Sequence, residues 1–195
     1  MKYAERIVLV LLFLILAGGG AWFYFAVQHS VETEQEEMRA AVARGDYELP
    51  ADREWEIKPE DWRAIYPVTY PITIGGVAVE ASVADTLSTR IKGLSDTPFL
   101  PDHVVKLFVF GVEGDHSIWM KDMNYPLDIM WVTREGEIVH IEEDVQPSTY
   151  SRENPMASQN FRSPVPSWYV IEANAGFVAS NTISVGDEVV LPTAQ

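Results

Sequence analysis

The chain has 195 residues, room for one ordinary domain plus appendages, and carries 29 acidic against 14 basic side chains for a formal net charge of −15. An excess of that sign repels phosphate backbones and anionic lipid headgroups, so nucleic acid is excluded as a partner. The chain holds no cysteine, which removes disulfides, thiolate catalysis, zinc ribbons and a lipidated N-terminal cysteine together.

The first element is an apolar helix. Residues 7–27, opening at Ile7 and closing at Val27, contain no charge. A helix of that length covers about 31 Å, the thickness of a bilayer's hydrocarbon core. Trp22, Phe23, Tyr24 and Phe25 at its end suit the interfacial aromatic belt. Lys2 and Arg6 precede the run, while Glu32, Glu34, Glu36 and Glu37 follow it. Basic flanks stay in the cytoplasm, so the expectation is a single-pass plasma-membrane protein with residues 1–6 inside and the rest outside. The alternative is a cleaved signal peptide ending in the small residues Ala17 to Ala21. Cleavage there would leave Trp22 to Phe25 as an exposed apolar terminus, which favours the anchor.

Residues 28–65 are an acidic tether. Thr33 to Glu36 reads as a capping box for a helix running to about Arg44 and stopped by Gly45. Pro50, Pro59, Trp55 and Trp62 then suggest an irregular segment whose tryptophans dock on the domain.

From residue 66 onward one β-rich domain is expected. Ile72 to Ile74 and Val77 to Val79 alternate around Gly75-Gly76, a two-residue hairpin signal. Further strands are expected over residues 104–110, 117–123, 128–133, 137–145, 168–173 and 187–191, with Arg134-Glu135-Gly136 as a second hairpin turn. Two short helices interrupt them, at 86–92 (capped by Asp85, stopped by Gly93) and at 175–181 (capped by Asn174). The fold class is therefore mainly β, a β-rich α+β domain: a small barrel-like or rolled antiparallel sheet with two short helices. Residues 146–167 lack periodicity and read as a long loop, of the kind that is functional or mobile.

Several segments of this domain resemble the DUF192 family, a domain of unknown function. They are Arg90-Ile91-Lys92-Gly93-Leu94, Leu107-Phe108-Val109-Phe110, Trp119-Met120-Lys121 with Pro126-Leu127-Asp128-Ile129, Tyr169 to Phe177, and Val185-Gly186-Asp187. The resemblance spans about residues 72 to 192. It implies a compact β-rich fold, often behind an export signal or anchor, and it implies no reaction. The chain departs from the family pattern at Thr97, where relatives often carry arginine, and at Val105-Lys106, where many have Gly-Met. It also lacks the cysteines that relatives often carry after the 137–145 strand.

The matched segments supply the candidate ligand cleft: Arg90, Trp119, Lys121, Asn124, Asp128, Glu172 and Asn174. An extended 117–123 strand puts Trp119, Lys121 and Met123 on one face. Together these residues offer cations, carboxylates, an amide and an aromatic wall, suited to a sugar or a carboxylate-bearing peptide. The competing account pairs Arg90 and Lys121 with Asp128 and Glu172 as ion pairs closing the barrel ends, with Asn174 only a helix cap. Asp128 and Glu172 are also the candidate general acid and base if the domain is a hydrolase or transferase of envelope polymers. A Ser117–Lys121 nucleophile lacks the usual spacing. His29, His103, His116 and His140 are scattered, and no calcium loop surrounds Glu142-Glu143-Asp144, so neither metal nor cofactor is expected. The reading that fits these features best is a non-catalytic binding or interaction module at the cell envelope, with an envelope glycan, peptide or protein as ligand. The envelope enzyme and an accessory subunit of a membrane complex are the alternatives.

Overall fold

The computed structural model describes residues 57–191, together with Thr33, Glu36, Glu37, Ala40 and Arg44. The predicted membrane span from Ile7 to Val27 and the docking residue Trp55 lie outside the described residues. Among the described residues no helix is long and apolar enough to cross a membrane. Thr33 is itself helical, so it is not the predicted cap.

The first hairpin forms as expected. Strands β1 (Tyr70–Ile74) and β2 (Val77–Ala84) pair antiparallel, with Ile74 opposite Val77. The connecting Gly75 and Gly76 both take positive φ, +54° and +83°, the turn whose twist matches the flanking strands. The chain then crosses through helix α1 (Leu87–Lys92). Its cap is Thr86 rather than Asp85: Thr86 and Thr89 exchange backbone and hydroxyl hydrogen bonds reciprocally, and Gly93 terminates the helix. That crossover returns the chain parallel to β2 in strand β3 (Val104–Gly114). The sheet is thus mixed, which corrects the expectation of a purely antiparallel one. A parallel neighbour needs a long connection, and residues 85–103 supply it.

The expected strand over 117–123 is cut short. Strand β4 covers only Ser117–Ile118, and it pairs with β7 (Phe161–Arg162), which lies in the stretch expected to be a bare loop. Strands β5 (Leu127–Val132) and β6 (Ile138–Val145) form the second hairpin around Arg134 to Gly136. Strand β8 (Ser167–Asn174) inserts between β3 and β5, antiparallel to both. Helix α2 (Phe177–Asn181) and the short strand β9 (Val189–Val190) complete the domain.

The main sheet has seven strands in the order β6-β5-β8-β3-β2-β1-β9. It curls until its ends meet: Val189 donates to the carbonyl of Gly136 at 2.7 Å, Gly186 to that of Ile138 at 2.8 Å, and Ile138 to that of Asp187 at 3.0 Å. The seam engages only the start of β6, leaving residues 139–145 as an outer edge that carries His140, Glu142, Glu143 and Asp144.

Both faces of the central strands are apolar, and every residue of β5 is buried. On the inner face Val105, Leu107, Met130, Val132, Ile171 and Ala173 pack with Phe177 and Val178 of α2. On the outer face Val104, Phe108, Ile129, Trp131 and Val170 pack under Leu94, Leu100, Met120 and Phe161. Trp62 and Ile65 of the tether, with Tyr66 just after it, join this outer cluster.

The seam predicts a sharp contrast between two glycines. A Cβ on Gly136 (φ +95°) would lie 2.4 Å from the carbonyl oxygen of Val189, whereas one on Gly76 (φ +83°) meets nothing within 4 Å. Gly76→Ala should cost only the left-handed strain of about 1 kcal/mol. Gly136→Ala must also force the seam apart and should cost at least about 2 kcal/mol. Thermal melts of the two variants give the comparison, and equal losses would show that the seam contributes nothing to stability.

Candidate functional site

The outer face holds a small recess with a cavity volume of about 30 Å³, opening into about 430 Å³ of space that includes solvent. Its sides are α1 with the following turn and the segment after β4, and strands β3 and β8 reach it from below. Arg90, Lys92, Lys121 and Glu172 supply its charged or ionisable groups, while Phe108, Phe110, Trp119 and Met123 form apolar wall. Four of the seven residues singled out from sequence therefore meet: Arg90, Trp119, Lys121 and Glu172.

The other three serve elsewhere. Asn124 donates its side-chain amide to the carbonyl of Thr97 at 2.9 Å. Asn174 ends β8 and donates to the carbonyl of Leu100 at 2.6 Å and to Asp102 at 3.1 Å. It is not the cap of α2, whose N-cap is Gly176 in the left-handed region. Asp128 is fully buried and brackets two elements, accepting from the backbone N–H of Asp144 at 3.0 Å and of Val178 at 2.9 Å. A carboxyl group spent on two backbone donors is a structural clamp.

The register between β5 and β8 removes the acid–base pair. Asp128 stands opposite Ala173, and Ile129 opposite Glu172. Directly opposed residues share a face and successive residues alternate, so the two carboxyls project from opposite faces of the sheet. The bracing ion pairs do not form either. Lys121 instead binds the adjacent Asp122, which also receives Arg152 from the 146–167 stretch. Burial alone would push the Asp122 carboxyl up, but the hydrogen bonds from Lys121 and Arg152 outweigh it and hold it below its ordinary range. Asp122 takes a positive φ of 51°, the turn that ends the extended run after Ile118 and defeats the predicted strand.

Each wall is fastened from behind. Arg90 donates to the carbonyls of Asp85 at 2.9 Å and Val109 at 3.1 Å, and its guanidinium lies 5.5 Å from the Phe110 ring centroid. Lys92 bonds to the carbonyl of Ser95, and Ser95 donates in turn to that of Lys121 at 2.7 Å. Trp119 meets Tyr150 edge-on, with 6.0 Å between centroids. Residues 146–167, expected as a loop, are thereby stitched onto the wall of the pocket.

Beneath it lies a residue that the cleft expected from sequence did not include. Lys106 of β3 is opposite Glu172 of β8 and opposite Ser82 of β2, and its ammonium donates to the Ser82 hydroxyl at 3.2 Å. Burial pulls the Lys106 ammonium below its ordinary pKa, although Glu172 works in the other direction. Burial pushes the Glu172 carboxyl up to about 8, despite the opposing pull of Lys106. Glu172 Oε2 is buried with no hydrogen-bond partner among the described residues. The signal available in sequence was a lysine inside the apolar run Val104-Val105-Lys106-Leu107-Phe108.

Thr97 is a buried hub. Its hydroxyl donates to the carbonyl of Leu94 at 2.6 Å and accepts from Tyr125 at 2.6 Å. Tyr66 donates to the carbonyl of Phe99 at 2.9 Å, pinning the tether to the same cluster. Burial raises both phenols, and the charge of Glu172 adds to it.

A curled β half-barrel with an apolar outer face under short helices defines the class of domain. The chain belongs to the DUF192 family, described as "Uncharacterized ACR", whose model matches residues 70–191. A structure of a protein of unknown function from Novosphingobium aromaticivorans is similar, at 24% identity and a TM-score of 0.55, over 63% of this chain and 85% of that one. A candidate transcription regulator from Sinorhizobium meliloti is similar at 26% identity and a TM-score of 0.53, over 61% of this chain and 88% of that one. No curated protein matches the chain.

The raised Glu172 pKa makes stability depend on pH with a definite sign. The folded carboxyl holds its proton up to about pH 8, while the unfolded one releases it near about 4.3. Its contribution is fully present below the unfolded value and is lost as pH rises through about 8. Glu172→Gln keeps the shape without the charge. It should melt close to the unchanged protein at pH 5 and above it at pH 9, by a margin on the order of 4 kcal/mol at most. Parallel melting curves at both pH values would mean that Glu172 titrates normally.

Proposed function

We propose that the protein is a non-catalytic binding module, held at the outer face of the plasma membrane by its N-terminal segment, that takes small anionic ligands of the cell envelope. The carrying observation is the pocket, which gathers Arg90, Lys92 and Lys121 around Trp119 and Phe110 in a strongly acidic chain. Cations collected in a low-dielectric recess concentrate field there and draw anions to it. The aromatic wall adds stacking surface for a sugar ring or peptide side chain. The one carboxyl in the recess holds its proton at neutral pH and so does not oppose an anion. An acidic sugar or a carboxylate-terminated peptide fits this inventory. The sheet puts Asp128 and Glu172 on opposite faces, which opposes a hydrolytic role built on that pair. The acidic charge of this chain opposes binding to nucleic acid.

Two experiments test the two halves of the proposal. Calorimetry of the full purified chain with glucuronate, N-acetyl-D-alanine and inorganic phosphate should show salt-sensitive binding of at least one of them. Methyl glucoside should give no signal. Lys121→Met should weaken that binding about tenfold or more, the value of one charge-assisted contact. No anion binding, or equal binding by the variant, refutes the pocket. For the anchor, protease added to intact spheroplasts should digest the domain, and protection until the membrane is broken refutes the orientation.

A further inference from the structure

We infer that Glu172 is the ligand-binding floor of this pocket, donating its carboxyl O–H to the carboxylate of a ligand drawn in by Arg90 and Lys121. The site is then specific for carboxylates and holds them only while Glu172 keeps its proton. The inference rests on the anion-binding reading above and names the ligand's recognised group.

Glu172 keeps one buried oxygen unsatisfied. Its side chain is 4% exposed and lines the hollow, yet Oε2 has no hydrogen-bond partner among the described residues. An unsatisfied buried carboxyl oxygen is costly unless something that enters the site completes it. Lys106 from β3 is the cation whose charge acts on Glu172, and the phenols of Tyr66 and Tyr125 feel the Glu172 charge. Arg90, Lys92 and Lys121 line the same recess, held on the carbonyls of Asp85 and Val109, on the carbonyl of Ser95 and on Asp122. From β5, apolar Leu127, Ile129 and Trp131 lie on this face. Lys106 donates to Ser82, and Glu172 Oε2 is left without a donor among the described residues.

A ligand that completes this site must accept a proton-bearing oxygen at the floor and carry negative charge for the cations above. A carboxylate does both, through a short O–H···O⁻ hydrogen bond at one oxygen and a cation at the other. Inorganic phosphate meets the same cations and is therefore the contrasting probe. The backbone offers it no nest here, because α1 presents its C-terminal end, Arg90 to Gly93, to the hollow. An ionised Glu172 would face the incoming carboxylate as a like charge, so binding and proton retention are one event. Bringing in the anion raises the proton affinity of Glu172 further, and the complex takes up a proton wherever the free protein has lost it.

The test is calorimetry of the full chain with N-acetyl-D-alanine and inorganic phosphate between pH 6 and 9.5, in buffers of different ionisation heat. N-acetyl-D-alanine should bind with a nearly constant affinity at pH 6 to 7. Above about pH 8 its affinity should fall about tenfold per unit with uptake of one proton per ligand. Glu172→Gln keeps a neutral N–H donor at the floor, so it should bind the same probe with the steep alkaline loss removed. The proton-uptake measurement on the unchanged protein needs no variant and stands even if Glu172→Gln is damaged. Binding without proton uptake at pH 9, or an alkaline loss shared by Glu172→Gln, overturns the inference. Phosphate binding with no N-acetyl-D-alanine binding also overturns it while leaving the anion pocket standing. Binding of neither probe removes both readings.

Discussion

The three central strands have no hydrophilic face, and the rest of the structure answers to that constraint. A sheet apolar on both sides must be covered twice, since each exposed face would leave a contiguous apolar surface in water. The inner face is covered by curling, so that β1 and β9 swing round to the start of β6 with α2 filling the space. The outer face cannot be covered by the same sheet. It is roofed by α1, the turns around Leu94 and Met120, the 146–167 stretch and the end of the tether. A roof made from separate pieces leaves a recess where pieces meet, and the pocket is that recess.

The polar groups beneath the roof follow from the same geometry. Alternation forces Lys106 and Glu172 onto the outer face alongside Phe108 and Val170, in the middle of the sheet and away from water. Such a pair is destabilising unless its charges are shared or suppressed. Here one proton does most of the suppression, and Ser82 receives the ammonium. Asp128, one residue out of phase with Glu172 across the ladder, falls on the inner face and is held by two backbone N–H groups. Two carboxyls on neighbouring strands thus take unrelated roles because of a single step of parity.

Local signals in the sequence were reliable where the chain itself decides. Gly75-Gly76 and Arg134 to Gly136 set both hairpins, and Gly93 stopped α1, because each needs only a few residues. The parallel pairing of β2 and β3 was hidden, since it depends on which strand the chain meets after crossing residues 85–103. The strand expected over 117–123 alternated correctly, but the left-handed turn at Asp122 rests on Lys121 and Arg152, the latter thirty residues further on. Arg90, Trp119, Lys121 and Glu172 could be gathered from the family segments. Lys106 could not, because it lies outside those segments and its partner Ser82 becomes visible only through register.

The seam also has a meaning in time. Thr73 pairs with Val190, so the first strand waits for residues more than a hundred positions later in the chain before its outer side is covered. Such distant pairings slow the search for the native state and place the last step of folding after nearly all of the domain has been synthesised. Until residue 190 is available, β1 and the start of β6 are both open ladders, the surfaces on which strands of neighbouring chains add. A ribosome-stalled or truncated chain ending before the seam is therefore the species of this protein most exposed to aggregation, although it contains almost the whole core.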